Sequence, residues 1–140
     1  MSRPCPCGAK ATFDKHCQPV IVGKIQADTA ERLMRARFSA YSLGDVEFLI
    51  KTTAAPQRET LDAEELAEYC ESIHCISLKI LATEAGGPTD EKGMVRFHAS
   101  MQVDGKRRLH AETSQFHRED GHWVYEAEDD GEGAGEGGEA

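Results

Sequence analysis

The apolar pattern of this chain changes period just beyond residue 72, and that change constrains the fold more than any other feature. Before it, Ala30, Leu33, Met34, Phe38 and Tyr41 recur at three- and four-residue steps, which places them on one face of a helix. After it, Val95, Phe97, Ala99, Met101 and Val103 alternate with Arg96, His98, Ser100 and Gln102, as in a strand with one buried face. Helices first and strands after predict an α+β fold. The first helix should run from about Thr29 to Leu43, capped by Asp28 or Thr29 and stopped at Gly44. Asp45 can cap a short second helix with Val46, Phe48, Leu49 and Ile50 as its apolar content, and Asp62 a third that reaches about Ser72. Ile76, Leu78 and Ile80 open the strand region. Asp104-Gly105 and Glu119-Asp120-Gly121 then punctuate strands over 95–103, 108–118 and 122–126. The expectation is a curved antiparallel sheet of about four strands, in a meander, packed on the N-terminal helices.

Composition divides the chain into three parts. Residues 1–24 are rich in Cys, Pro, Gly and Lys and too few to build a core, so they need a cross-link or a metal to hold shape. Residues 25–126 carry the periodic patterns of one α+β domain. Residues 127–140 are Gly and Glu without a large apolar side chain and are expected to be a disordered acidic tail. The net charge of −9 is concentrated there: residues 126–140 hold seven acidic side chains and no basic ones, and the rest carries 18 acidic against 16 basic. A nearly neutral body offers phosphate no general attraction, which argues against nucleic acid as a partner. No apolar run is long enough for a membrane span, and MSRPCPCGAK lacks the apolar stretch of a secretory signal, so the expected location is cytoplasmic.

Five cysteines, an odd number, argue against a disulfide framework, and three of them lie within the first 17 residues. Cys5 and Cys7 form one close pair, and the adjacent His16 and Cys17 form another. Three sulfurs and one imidazole suit tetrahedral zinc, and four protein ligands leave no position for water, which describes one structural zinc per chain and not a catalytic one. The segment CPCGAKATFDKHCQP resembles a SEC-C motif, a zinc-binding segment also found at the carboxyl end of the SecA translocation ATPase. It departs from the usual pattern at Ala9-Lys10, where a Ser-Gly pair is common, and in the order His16-Cys17. TAERLMRARFSAYSLGDVEFLIKTT and ETSQFHREDGHWVYEAED resemble the beginning and end of the middle domain of YchJ-like bacterial proteins. That resemblance implies a nuclear-transport-factor-2-like, or cystatin-like, fold. It implies no particular reaction.

A second candidate site lies in the larger domain. Period-two alternation puts His110, Glu112 and Ser114 on one strand face, so an imidazole and a carboxylate can meet in an apolar interior. Arg35, Arg37 and Tyr41 on the first helix are candidates to line the same pocket, with Glu112 pairing with one of the arginines to hold helix and sheet in register. No nucleophile–base motif, phosphate loop or dinucleotide fingerprint accompanies them. The sequence therefore favours a zinc-containing adaptor that meets a protein partner through its first 24 residues. The alternative is a small-molecule pocket or enzyme built on Glu112 and His110.

Overall fold

A computed structural model describes residues 3–128, and its longest helix forms where the cap and apolar spacing predict. This helix, α2 (Ala30–Leu43), follows a 3-10 turn (Phe13–Lys15) and a short helix α1 (Cys17–Ile21). Thr29 caps it by accepting a hydrogen bond from the Arg32 amide at 3.0 Å. Gly44 ends it with φ of 75°, the left-handed conformation that glycine adopts without a Cβ penalty. Asp45 then caps α3 (Val46–Lys51) through the Phe48 amide, and Asp62 caps α5 (Ala63–Ser72) through the amides of Glu64 and Glu65. Between them lies a four-residue helix, α4 (Ala55–Arg58), opened by Pro56, whose fixed φ suits a first turn.

The strands β1 (Ile73–Ala85), β2 (Lys92–Val103), β3 (Lys106–Glu119) and β4 (His122–Glu128) pair antiparallel in the order β1-β2-β3-β4, the expected meander. The sheet is curved and its concave face covers α2. Register aligns Val95 with Ser114, Phe97 with Glu112 and Ala99 with His110, so the inward residues of two strands form one surface. β1 is longer than its apolar content suggests and breaks register between Cys75 and Ser77. The irregularity leaves Ile76 exposed while Leu78 is buried, so strict alternation fails there. The β1–β2 hairpin grips the start of α2. The Ala30 amide donates to the Gly86 carbonyl, and a Cβ on Gly93 would stand 2.4 Å from the Gly86 Cα.

The buried core is continuous from the N-terminal segment through α2 to the sheet. Cys5, Cys7, Phe13 and Cys17 belong to the same cluster as Leu33, Ala36, Phe97 and Phe116. The acidic tail lies outside the described residues except for 127–128, which complete β4. Among the described residues, no helix is long and apolar enough to cross a membrane.

Candidate metal centre and pocket

The first 17 residues fold back on themselves to bring two ligand pairs together. Pro4 and Thr12 form an antiparallel bridge, the Cys5 amide donates to the Ala11 carbonyl, and the Gly8 amide donates to the Cys5 carbonyl. This knuckle presents Cys5 and Cys7, and the start of α1 presents His16 and Cys17. All four ligand atoms lie within 4.8 Å of one another, so the set could hold a metal ion. His16 Nδ1 is 3.4 Å from Cys7 Sγ and 3.5 Å from Cys17 Sγ. The Cys7 and Cys17 side chains are 0% exposed. A hydrogen bond from Cys17 pulls the Cys7 thiol down to about 4 against the effect of burial, and Cys17 is pushed up in return.

Helix α2 holds this knuckle with residues at helical spacing. Arg32 Nη2 donates to the His16 carbonyl at 3.1 Å, and Arg35 Nη1 donates to the Cys7 carbonyl at 3.1 Å. Ser39 Oγ lies 3.7 Å from Cys5 Sγ. Arg35 also comes within 3.9 Å of Cys7 Sγ and pairs with Glu31, one turn earlier. Arg35 therefore belongs to the Cys/His cluster and not to the pocket. Two helical residues turn roughly 200°, which separates its direction from that of Arg37.

The opposite face of α2 lines a cavity of about 120 Å³ against the concave sheet. Met34, Arg37 and Tyr41 from the helix meet His110, Glu112 and Ser114 from β3 there. Five of the six proposed pocket residues thus converge. Glu112, with a side chain only 8% exposed, accepts hydrogen bonds from His110 Nε2, Ser114 Oγ and, at 3.1 Å, the Tyr125 hydroxyl. Burial alone would raise its carboxyl. The His110 and Ser114 hydrogen bonds, the His110 charge and the Tyr125 hydrogen bond outweigh burial and hold it below the ordinary carboxylate range.

The expected direct pair between Arg37 and Glu112 is not formed. Arg37 Nη1 instead donates to the Leu49 carbonyl at 3.0 Å and to Thr52 Oγ1 at 2.8 Å, at the end of α3. Its charge reaches Glu112 only through space, and its guanidinium lies 4.6 Å from the centre of the Tyr125 ring. Tyr125 was not among the expected pocket residues. A short parallel bridge to Thr53 places it: the Tyr125 amide donates to Thr52, and the Ala54 amide to Tyr125. Counting pairs back from the Glu119–His122 turn sets Tyr125 opposite Phe116, on the face of Ser114, so strand register carried that signal.

A family model described as YchJ, middle NTF2-like domain, matches residues 29–128. The chain belongs to this family. A UPF0225 protein of Geobacter sulfurreducens is 38% identical over 125 residues, covering 89% of this chain and 78% of the relative. The solution structure of a SEC-C motif containing protein from Rhodopseudomonas palustris superposes with a TM-score of 0.82 at 28% identity, covering 89% of this chain and 96% of that one. The crystal structure of a SEC-C motif containing protein from Psychrobacter arcticus gives a TM-score of 0.74 at 26% identity, covering 90% and 80%. The resemblances at both ends of the sequence and the α+β meander are thereby borne out. The Cys/His cluster sits where the SEC-C resemblance places it.

Proposed function

We propose that the N-terminal cluster is a structural zinc centre, one per chain, and that the segment around it is the docking surface of a protein-binding adaptor. The observation that carries the metal reading is the spacing of its ligands. Zinc–sulfur and zinc–nitrogen bonds of about 2.3 and 2.0–2.1 Å at tetrahedral angles imply a sulfur–nitrogen edge of about 3.5 Å. The two edges from His16 Nδ1 are 3.4 and 3.5 Å. This supports His16 as the fourth ligand despite its unusual order with Cys17. With four protein ligands the ion keeps no site for substrate, so its role is to fix the knuckle on α2. Three thiols kept available for metal suit a reducing, cytoplasmic setting.

The adaptor reading draws on what the knuckle shows to solvent. Val22 is 60% exposed and Ile25 44%, and Lys10, Lys15 and Lys24 of the same N-terminal segment are exposed too. Exposed apolar side chains in a lysine-bearing segment suit a protein partner bearing carboxylates. Elemental analysis should find about one zinc per chain, lost in Cys7→Ser. Cross-linking in cell extract should capture a partner that a Val22→Ser, Ile25→Ser variant, still metal-loaded, does not. A metal-free wild type that keeps its fold defeats the zinc reading, and equal capture by the variant defeats the adaptor reading.

A second reading, a pocket that takes a small molecule, is favoured by a separate observation. An ionised Glu112 carrying three hydrogen bonds faces a cavity with otherwise mainly apolar walls.

A further inference from the structure

The cavity between α2 and the sheet has a size, a charge state and one unmet hydrogen-bonding capacity, and together they define a ligand. Its volume of about 120 Å³ is close to that of an apolar cavity of about 150 Å³ known to hold benzene. A single small ring fits. The walls are Met34, Phe38, Phe97 and Met101, which offer thioethers and aromatic edges to a flat guest.

At the polar end three donors are already committed to Glu112. Ser114 and the Tyr125 hydroxyl both donate to Glu112 Oε2, and His110 Nε2 donates to Oε1. Arg37 Nη1 is occupied at the end of α3. A carboxylate offers about four acceptor sites, so one remains, on Oε1. A guest that brings a donor would complete this carboxylate. Charge narrows the class further. Buried Arg37 already balances Glu112 through space, so an ammonium would meet a second cation and a carboxylate would meet Glu112. Half-exposed Tyr69, packed edge-on against Tyr41 at the cavity rim, marks the way in.

We propose that this cavity binds a small neutral hydroxylated ring of the phenol class, its ring between the methionines and its hydroxyl donating to Glu112 Oε1. The inference rests on the pocket reading and names its ligand class.

The test is a titration of full-length protein carrying ¹³C-methyl methionine, followed by NMR. Phenol, toluene, benzylammonium and benzoate serve as probes of nearly equal size. Phenol should shift the Met34 and Met101 methyls saturably and leave Met94, which lies outside the cavity, unmoved. It should bind at least about tenfold more tightly than toluene, the worth of a hydrogen bond to a charged acceptor. Glu112→Gln should erase that preference. If this variant does not fold, Ala99→Leu, which fills the cavity and leaves the Glu112 network intact, should abolish binding of both. Equal binding of phenol and toluene overturns the hydroxyl class but leaves a pocket. Preference for benzylammonium or benzoate overturns neutrality. No shift with any probe overturns this inference and the pocket reading together.

Discussion

The two faces of α2 use the same helix in opposite ways. One face presents Arg32, Arg35 and Ser39 to a segment with no core of its own, and the arginines cap backbone carbonyls of the ligand loop. The other presents Met34, Arg37, Phe38 and Tyr41 to a cavity, with Arg37 buried among the end of α3, Tyr125 and the field of Glu112. On the first face polar groups organise a cluster of thiols. On the second an apolar wall surrounds one charged network. The contrast shows how a single 14-residue helix can support two sites about half a turn apart without either sharing its chemistry with the other.

The largest effect should come from stripping the metal. Because Cys7 and Cys17 are buried in the same core as α2, loss of the ion should unfold the knuckle and uncover the helix. We expect a cost above about 4 kcal/mol and a fall of roughly 15 °C in melting temperature. Chelation followed by calorimetry reads this directly. An unchanged melt after chelation would mean that the two faces are energetically independent.

Next in size is a contrast between two arginines two residues apart. Arg37→Met removes the charge that balances buried Glu112 and the donor to the Leu49 carbonyl and the Thr52 hydroxyl at the end of α3. A loss of about 3 kcal/mol should follow in urea melts, with metal retention unchanged. Arg35→Met should cost only about 1 kcal/mol. It should also speed release of zinc to a chelator about tenfold or more, since it removes a donor that orients the Cys7 loop. The reverse pattern would exchange the roles assigned to the two faces.

The sequence made the first face partly legible and the second less so. The four candidate metal ligands stand out because cysteine and histidine gather within 13 residues and have few other reasons to do so. Their anchors Arg32 and Ser39 were not legible, because a bond to a backbone carbonyl and a hydroxyl–thiol contact leave no residue pattern. In the sheet, period two placed His110, Glu112 and Ser114 correctly on one face. It could not show that Glu112 would find its partners in its strand neighbours and Tyr125 and not pair directly with an arginine. Grouping Arg35 with Arg37 ignored helical angle. The bulge beside Ile76 and the four residues of α4 are decided by tertiary fit, which local propensity does not encode.

A third, smaller effect concerns pH on the pocket face. Glu112 is faced by His110, Ser114 and Tyr125 from the sheet and by Arg37 and Tyr41 from α2. Its carboxyl is held below the ordinary range in the folded protein. The stability it contributes is therefore present above the unfolded value of about 4.3 and is lost as pH falls through the lower folded one. Glu112→Gln should cost about 2 kcal/mol at neutral pH, and the gap to wild type should close in acid below about pH 4. A gap that widens in acid would mean that Glu112 is held neutral in the fold, contrary to the network described.

The smallest effect distinguishes the faces by distance along the helix. Thr29 caps α2 by accepting from the Arg32 amide, and Arg32 in turn holds the His16 carbonyl. Thr29→Ala should cost about 1 kcal/mol and fray the first turn. That fraying acts on the metal face first, because Arg32 lies in the first turn, whereas Arg37 and Tyr41 lie more than a full turn further on. Hydrogen exchange should therefore quicken at residues 30–33, and zinc should leave somewhat faster, while the Met34 and Met101 methyl resonances keep their wild-type shifts. If the methyls moved as much as the first-turn amides, α2 would transmit strain along its length. The metal centre and the pocket would then be coupled through the helix that separates them.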